Sequence, residues 1–127
     1  MKILIIEDER ELVKSMAQYL RQESYVCEVA YTAQEANEKI LLFEYDCILL
    51  DINLPDIDGY EVARRIRSSD RKHSLTYVPI IAVTANALKG DAEKALSAGC
   101  DVYMSKPINI RELWARVEAF VPSPNTK

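Results

Sequence analysis

Five short runs rich in branched aliphatic residues, at 2–7, 25–30, 46–50, 78–83 and 102–105, alternate with longer stretches in which apolar residues recur at helical spacing. That alternation leaves few architectures open. A strand followed each time by a helix returns the chain to the same edge direction, which builds a parallel sheet through right-handed crossovers. The first, third and fourth runs are apolar without a polar alternate, as strands covered on both faces are. The helical stretches fall at 10–23, 33–43, 59–70, 87–98 and 110–120. In the last of these, Ile110, Leu113, Trp114, Val117 and Val121 share one face. Asn109 with Glu112, and Thr32 with Glu35, have the spacing of capping boxes. Gly99 stands where a helix end needs a left-handed residue, and Pro55 and Gly59 punctuate the loop after the third strand. The expected fold is α/β: an open, doubly wound, five-stranded parallel sheet with five helices on its two faces.

The 127 residues are enough for one domain with a core of its own, and 49% apolar against 28% charged residues is a globular balance. Residues 1–121 are expected to form that domain, and 122–127, with two prolines, to be a tail or the start of a linker. Three cysteines, Cys27, Cys47 and Cys100, form no CxxC pair and leave an odd thiol, so they are expected as buried free thiols of a reducing compartment. No apolar run is long enough to cross a membrane and no signal peptide is evident, so a soluble, cytoplasmic protein without membrane contact is expected. The net charge of −4 argues against direct nucleic-acid binding.

In open parallel sheets ligands bind beyond the carboxyl ends of the strands. Here those ends carry a particular set. The first strand runs into Glu7, Asp8 and Glu9, the third into Asp51, the fourth into Thr84 and the fifth into Lys106 and Pro107. Glu7, Asp8 and Asp51 against Lys106 leave about two uncompensated negative charges, which would raise carboxyl pKa values and which a divalent cation would cancel. Oxygen ligands without a nearby His or Cys favour a hard ion, and so sparse a set suits Mg²⁺ better than Ca²⁺. Thr84 and Lys106 are complements that a phosphate would use. The competing reading makes these acids solvated loop residues or, for Asp8 and Glu9, partners of a helix N-terminus.

The motifs I-I-E-D-E at 5–9, L-L-D-I-N-L-P-D-I-D-G at 49–59, V-T-A at 83–85 and Y-M-S-K-P at 103–107 resemble, in order and spacing, the receiver domain of two-component response regulators, the CheY-like group. The resemblance extends from Lys2 to about Val121 and implies the strand order 2-1-3-4-5 of a flavodoxin-like sheet. It implies that Asp51 is the phosphoacceptor, taking a phosphoryl group from a sensor histidine kinase or a histidine phosphotransfer protein. It further implies Mg²⁺ on Asp8, Asp51 and the backbone carbonyl of Asn53, with Glu7 acting through water. Lys106 and Thr84 would face the phosphoryl oxygens, and Thr84 and Tyr103 would switch the surface of the fourth helix, fifth strand and fifth helix. That surface would signal to an output domain or a downstream protein, or pair two copies as a homodimer. The Lys106–Pro107 bond is expected cis on the same ground. Asn53 and Asn86 hold positions that in the family tune phosphoaspartate lifetime, and Glu7 replaces the family's more usual Asp. Such a chain is a signalling domain that phosphorylates and slowly dephosphorylates itself, and is no turnover enzyme.

Three rivals stand beside this. A haloacid-dehalogenase-like Mg²⁺ phosphatase would need an acid where Asn53 stands. A flavodoxin-like electron carrier would need a phosphate-cradling first loop, where Glu7, Asp8 and Glu9 would repel the phosphate. A degenerate receiver would serve only as a phosphorylation-independent interaction module, against the intact residue set. The run Asp51, Asn53, Asp56, Asp58 and Gly59 looks at first like a calcium loop, but Pro55, Asp56 and Val62 fall where that loop needs a ligand, its Gly and its Glu. Arg64, Arg65, Arg67, Arg71 and Lys72 are expected to point outward as a solvated face, or to dock a partner. His73, the only histidine, is expected as an ordinary surface residue.

Overall fold

The computed structural model describes residues 1–73, 78–85 and 91–122, with side chains excepted at 69–73 and 91. The chain runs β1 (Lys2–Ile6), α1 (Arg10–Gln22), β2 (Val26–Ala30), α2 (Ala33–Leu42), β3 (Cys47–Asp51), α3 (Gly59–His73), β4 (Ile80–Thr84), α4 (Asp91–Ser97), β5 (Val102–Ser105) and α5 (Ile110–Phe120). All strand pairs are parallel, in the order β2-β1-β3-β4-β5. The strand order implied by the resemblance is therefore the one observed.

Successive strand side chains point to opposite faces, and this splits the core in two. Ile3 and Ile5 of β1 join Leu49 and Ile81 beneath α1 and α5, where Val13, Met16, Leu20, Leu113 and Val117 close the cluster. Leu4 and Ile6 face the other way, with Ile48, Leu50, Ile80 and Ala82, against Ala33 and Ala36 of α2, Val62, Ala63 and Ile66 of α3, and Ala95 of α4. β3 and β4 are buried at every position, which is why neither run shows a polar alternate. Each large aliphatic side chain so buried contributes about 1.5–3 kcal/mol.

Element ends follow hydrogen bonding. Ser24 (φ 73°) and Gly99 (φ 107°) each stop a helix in the left-handed region. After α4, Gly99 N–H donates to Leu96 O and Cys100 N–H to Ala95 O, a Schellman motif. After α1, Ser24 N–H donates to Arg21 O and Tyr25 N–H to Leu20 O in the same pattern. Tyr25 is thereby committed to the helix end, and β2 starts at Val26 rather than at 25. β3 and β4 end one residue later than expected, because Asp51 pairs with Val83 and Thr84 with Ser105 in the ladder. Asn109 caps α5 by accepting from Glu112 N–H, and Thr32 caps α2 by accepting from Glu35 N–H. The Glu35 carboxylate reaches one residue past the cap, to Tyr31 N–H.

α3 runs on to His73 instead of stopping at 70. The expected start of the fourth helix at 87, Asn86, the side chains of Arg71, Lys72 and His73, and the tail from 123 lie outside the described residues. Arg64 and Arg65 point outward, as expected, and pair there with Glu61. Arg67 does not. Its side chain is only 15% exposed and curls back to donate to Gly99 O, Val78 O and Asp101 Oδ2. Its stem lies against Gly99, where an added Cβ would stand 2.6 Å from Arg67 Cγ.

The three cysteines are buried and free, and burial pushes their thiols up to about 11 for Cys27 and about 12 for Cys47 and Cys100. Among the described residues no helix is long and apolar enough to cross a membrane.

Candidate functional site

The carboxyl ends of β1, β3, β4 and β5 meet at one edge of the sheet. Glu7, Asp8 and Asp51 each bring a carboxylate oxygen to within 4.8 Å of the others, Glu7 and Asp51 buried and Asp8 exposed. Lys106 enters from beyond β5, where its N–H donates to Thr84 O and its peptide bond to Pro107 is cis. Its Nζ lies 3.1 Å from Glu7 Oε1, 3.0 Å from Glu9 Oε2 and 3.8 Å from Asp51 Oδ2.

These contacts do not satisfy the acids. Asp51 Oδ1 accepts from Asn53 N–H at 3.0 Å, but Oδ2 is buried with no hydrogen-bond donor. Glu7 Oε2 accepts from Glu9 N–H at 3.1 Å, while Oε1 is buried without hydrogen-bond geometry to any donor. Burial pushes Glu7 up to about 7, against the amide of Glu9 and with the help of the Asp51 carboxyl beside it. Burial likewise raises Asp51, against the Asn53 amide. For Lys106 burial works downward, but its contacts with Glu9, Glu7 and Asp51 outweigh it and the ammonium is held above its ordinary value. Two buried carboxylate oxygens in one acidic cluster, neither of them hydrogen-bonded, fit a small hard cation.

The loop after β3 is shaped to reach this edge. Gly59 returns its N–H to Ile52 O at 3.0 Å, and a Cβ there would stand 2.6 Å from Ile52 Cα and 2.7 Å from Asp51 O. No other residue fits that approach. Between these points the chain presents Asn53, whose Oδ1 accepts from Ala85 N–H at 3.0 Å and faces Thr84 Oγ1 at 3.5 Å. Thr84 is buried, and Tyr103 is half-buried against the cluster under α2, α3 and α4. Of the residues singled out in the sequence, Glu7, Asp8, Asp51, Asn53, Thr84 and Lys106 thus converge, and Tyr103 stands on β5 behind them.

Sequence reasoning did not anticipate the Asn53 side-chain bridge, the Glu9 pair with Lys106, or a link from the tip of this loop to α2. There the Asp56 carboxylate accepts from Ala33 N–H and Gln34 N–H. None of these has a local signature, since each joins segments distant in sequence. A groove of about 840 Å³ along α1 and β2, lined by Arg10, Lys14, Arg21, Val29 and Tyr31 among others, contains none of the converging residues.

The family described as "Response regulator receiver domain" matches residues 3–118. The chain belongs to that family. The receiver is 39% identical over 120 residues to a response regulator named ArlR from Staphylococcus saprophyticus, covering 94% of this chain and 52% of the relative. It therefore spans about half the length of the curated relatives it matches. A two-component response regulator from Clostridium difficile superposes with a TM-score of 0.87 at 32% identity, over 99% of both chains. The receiver domain of a sensor histidine kinase from Pseudomonas aeruginosa superposes with a TM-score of 0.80 at 34% identity, over 96% of this chain and 98% of that one. That structure holds a magnesium ion coordinated in its active-site cleft.

Proposed function

We propose that Asp51 of this receiver accepts a phosphoryl group from the phosphohistidine of a partner, either a sensor histidine kinase or a histidine phosphotransfer protein. The observation that carries the reading is the buried, donor-less Oδ2 of Asp51 beside Glu7 and Asp8 with Lys106 opposite. A carboxylate oxygen of Asp51 forms the new P–O bond as the P–N bond to imidazole breaks, and the imidazole leaves with the electron pair. Transfer of this kind needs positioning and charge neutralisation more than covalent help. Asn53 N–H holds Oδ1 and so fixes the plane of the nucleophile. Lys106 stays cationic and pairs with the incoming oxygens, and Thr84 donates its hydroxyl to them.

Asp8, Asp51 and the Asn53 carbonyl, with Glu7 through water, would hold Mg²⁺, which supplies neutralisation of the developing charge when bound. The magnesium in the Pseudomonas aeruginosa receiver and the unsatisfied oxygens here support that assignment. Movement of Thr84 and Tyr103 then changes the surface of α4, β5 and α5, read by an output domain, a downstream protein or a second copy. On this reading residues 1–121 are the signalling domain, 122–127 begin a linker or tail, the setting is the cytoplasm, and no external substrate is turned over. Incubation with Mg²⁺ and acetyl phosphate followed by mass spectrometry tests it. The expected product carries one phosphoryl group on Asp51 and is absent without Mg²⁺ and in Asp51→Asn. No adduct on the native chain would leave only a phosphorylation-independent interaction module.

A further inference from the structure

The β3–α3 loop is pinned at its root, where Ile52 N–H donates to Val83 O and Gly59 N–H to Ile52 O. At its far end Asp58 accepts from Tyr60 N–H and starts α3. Its tip is held differently. Asp56 crosses to the first turn of α2 and takes one amide on each oxygen, Ala33 N–H at 2.9 Å on Oδ1 and Gln34 N–H at 3.0 Å on Oδ2. The helix's own cap covers the next amides, since Glu35 N–H donates to Thr32 Oγ1 and Ala36 N–H to Thr32 O. Asp56 therefore takes the two first-turn amides that Thr32 leaves open, with its charge at the positive end of the helix.

A helix cap could equally have come from a neighbour in sequence. This one comes from 22 and 23 residues away, out of the segment whose Asn53 carbonyl would face the cation. We infer that Asp56 is a positioning residue: by clamping the loop tip on α2 it holds the Asn53 carbonyl in the cation-binding geometry and couples that site to the first turn of α2. The inference rests on the Mg²⁺ reading given above. When the clamp opens, the loop samples shapes that offer the carbonyl poorly, and apparent affinity falls by the fraction of time it does so. Because coupling is reciprocal, bound Mg²⁺ must protect the clamp by the same factor that the clamp raises Mg²⁺ affinity.

The test is titration of MgCl₂ into the full chain by calorimetry for the native protein, Asp56→Ala and Asp56→Asn, with thermal unfolding in EDTA and in Mg²⁺. It is paired with amide hydrogen exchange at Ala33 and Gln34 of the native protein with and without Mg²⁺. Asp56→Ala is expected to bind Mg²⁺ roughly 3–10-fold more weakly. Asp56→Asn, which keeps one acceptor oxygen, should fall between. In the native chain Mg²⁺ should slow exchange at Ala33 and Gln34 by a similar factor. A lower melting temperature for Asp56→Ala with unchanged Mg²⁺ affinity would reduce Asp56 to a helix cap and overturn the inference. So would Mg²⁺-independent exchange in the native chain, a measurement that needs no variant to fold. Absence of Mg²⁺ binding to the native chain would instead remove the cation reading and this inference with it.

Discussion

Asn in place of Asp51 is expected to stabilise the metal-free receiver. Glu7 repels Asp51 across at most 4.8 Å, which at an effective dielectric of ~20 is at least about 3.5 kcal/mol with both ionised. Asp8 adds less, since it is exposed and screened. Lys106 Nζ at 3.8 Å attracts Asp51 Oδ2 by about 4.4 kcal/mol on the same scale. The Coulombic terms nearly cancel, so desolvation of the carboxylate decides the sign, and it is the leading cause of the raised Asp51 pKa. Asparagine keeps the Oδ1 acceptor for Asn53 N–H and removes the buried charge. In EDTA at pH 8, urea denaturation should show Asp51→Asn about 1–3 kcal/mol more stable than the native chain. Saturating Mg²⁺ should close the gap, because a cation at 100 times its dissociation constant adds about 2.7 kcal/mol to the protein that binds it. A variant less stable than the native chain in EDTA would mean that the Lys106 pairing outweighs desolvation, and the account of the site as electrostatically frustrated would be wrong.

Glu7 gives a pH signature of the same frustration. Its folded pKa, near 7, lies above its ordinary 4.5, so its stabilising contribution is complete below about pH 4.5 and is lost as pH rises through 7. Urea midpoints of the metal-free Glu7→Gln variant should therefore fall less between pH 5 and pH 8 than those of the native chain; equal falls would refute this. Arg67→Met leaves Gly99 O, Val78 O and Asp101 short of a donor in a mostly buried pocket and should cost about 3–5 kcal/mol by chemical denaturation, whereas a cost under about 1 kcal/mol would mean water replaces the guanidinium. Ser24→Gly relieves a left-handed serine at the end of α1 and should raise stability by up to about 1 kcal/mol, with a loss of stability refuting the strain.

The sheet was legible because β1, β3 and β4 are covered on both faces, and an unbroken aliphatic run has no other comfortable place. Their exact ends were not, since whether Asp51 or Leu50 closes β3 depends on the partner strand's register. The converging acids were legible for a topological reason: in a parallel sheet every strand's carboxyl end lies at the same edge, so strand order alone brings Glu7, Asp51, Thr84 and Lys106 together. What stayed hidden was long side chains choosing partners. Arg67 sits at an outward-looking helical position yet reaches main-chain oxygens on two other segments. Glu9 looked like a helix-start acid and instead holds Lys106. Asp56 stood where a calcium loop would need its Gly and instead meets amides 22 and 23 residues back. Each outcome depends on where a distant loop ends up, which no local window encodes.

The division of the hydrophobic interior by the sheet bears on how such a chain can change over time. The buried residues beneath α1 and α5 and those beneath α2, α3 and α4 form two clusters with no member in common. Substitutions such as Leu20→Met and Ile66→Val, one in each compartment, should add in their effects. One flank can then drift or be redesigned while the other stays fixed, and the inner strands β1, β3 and β4, buried at nearly every position, are the part with least freedom to vary.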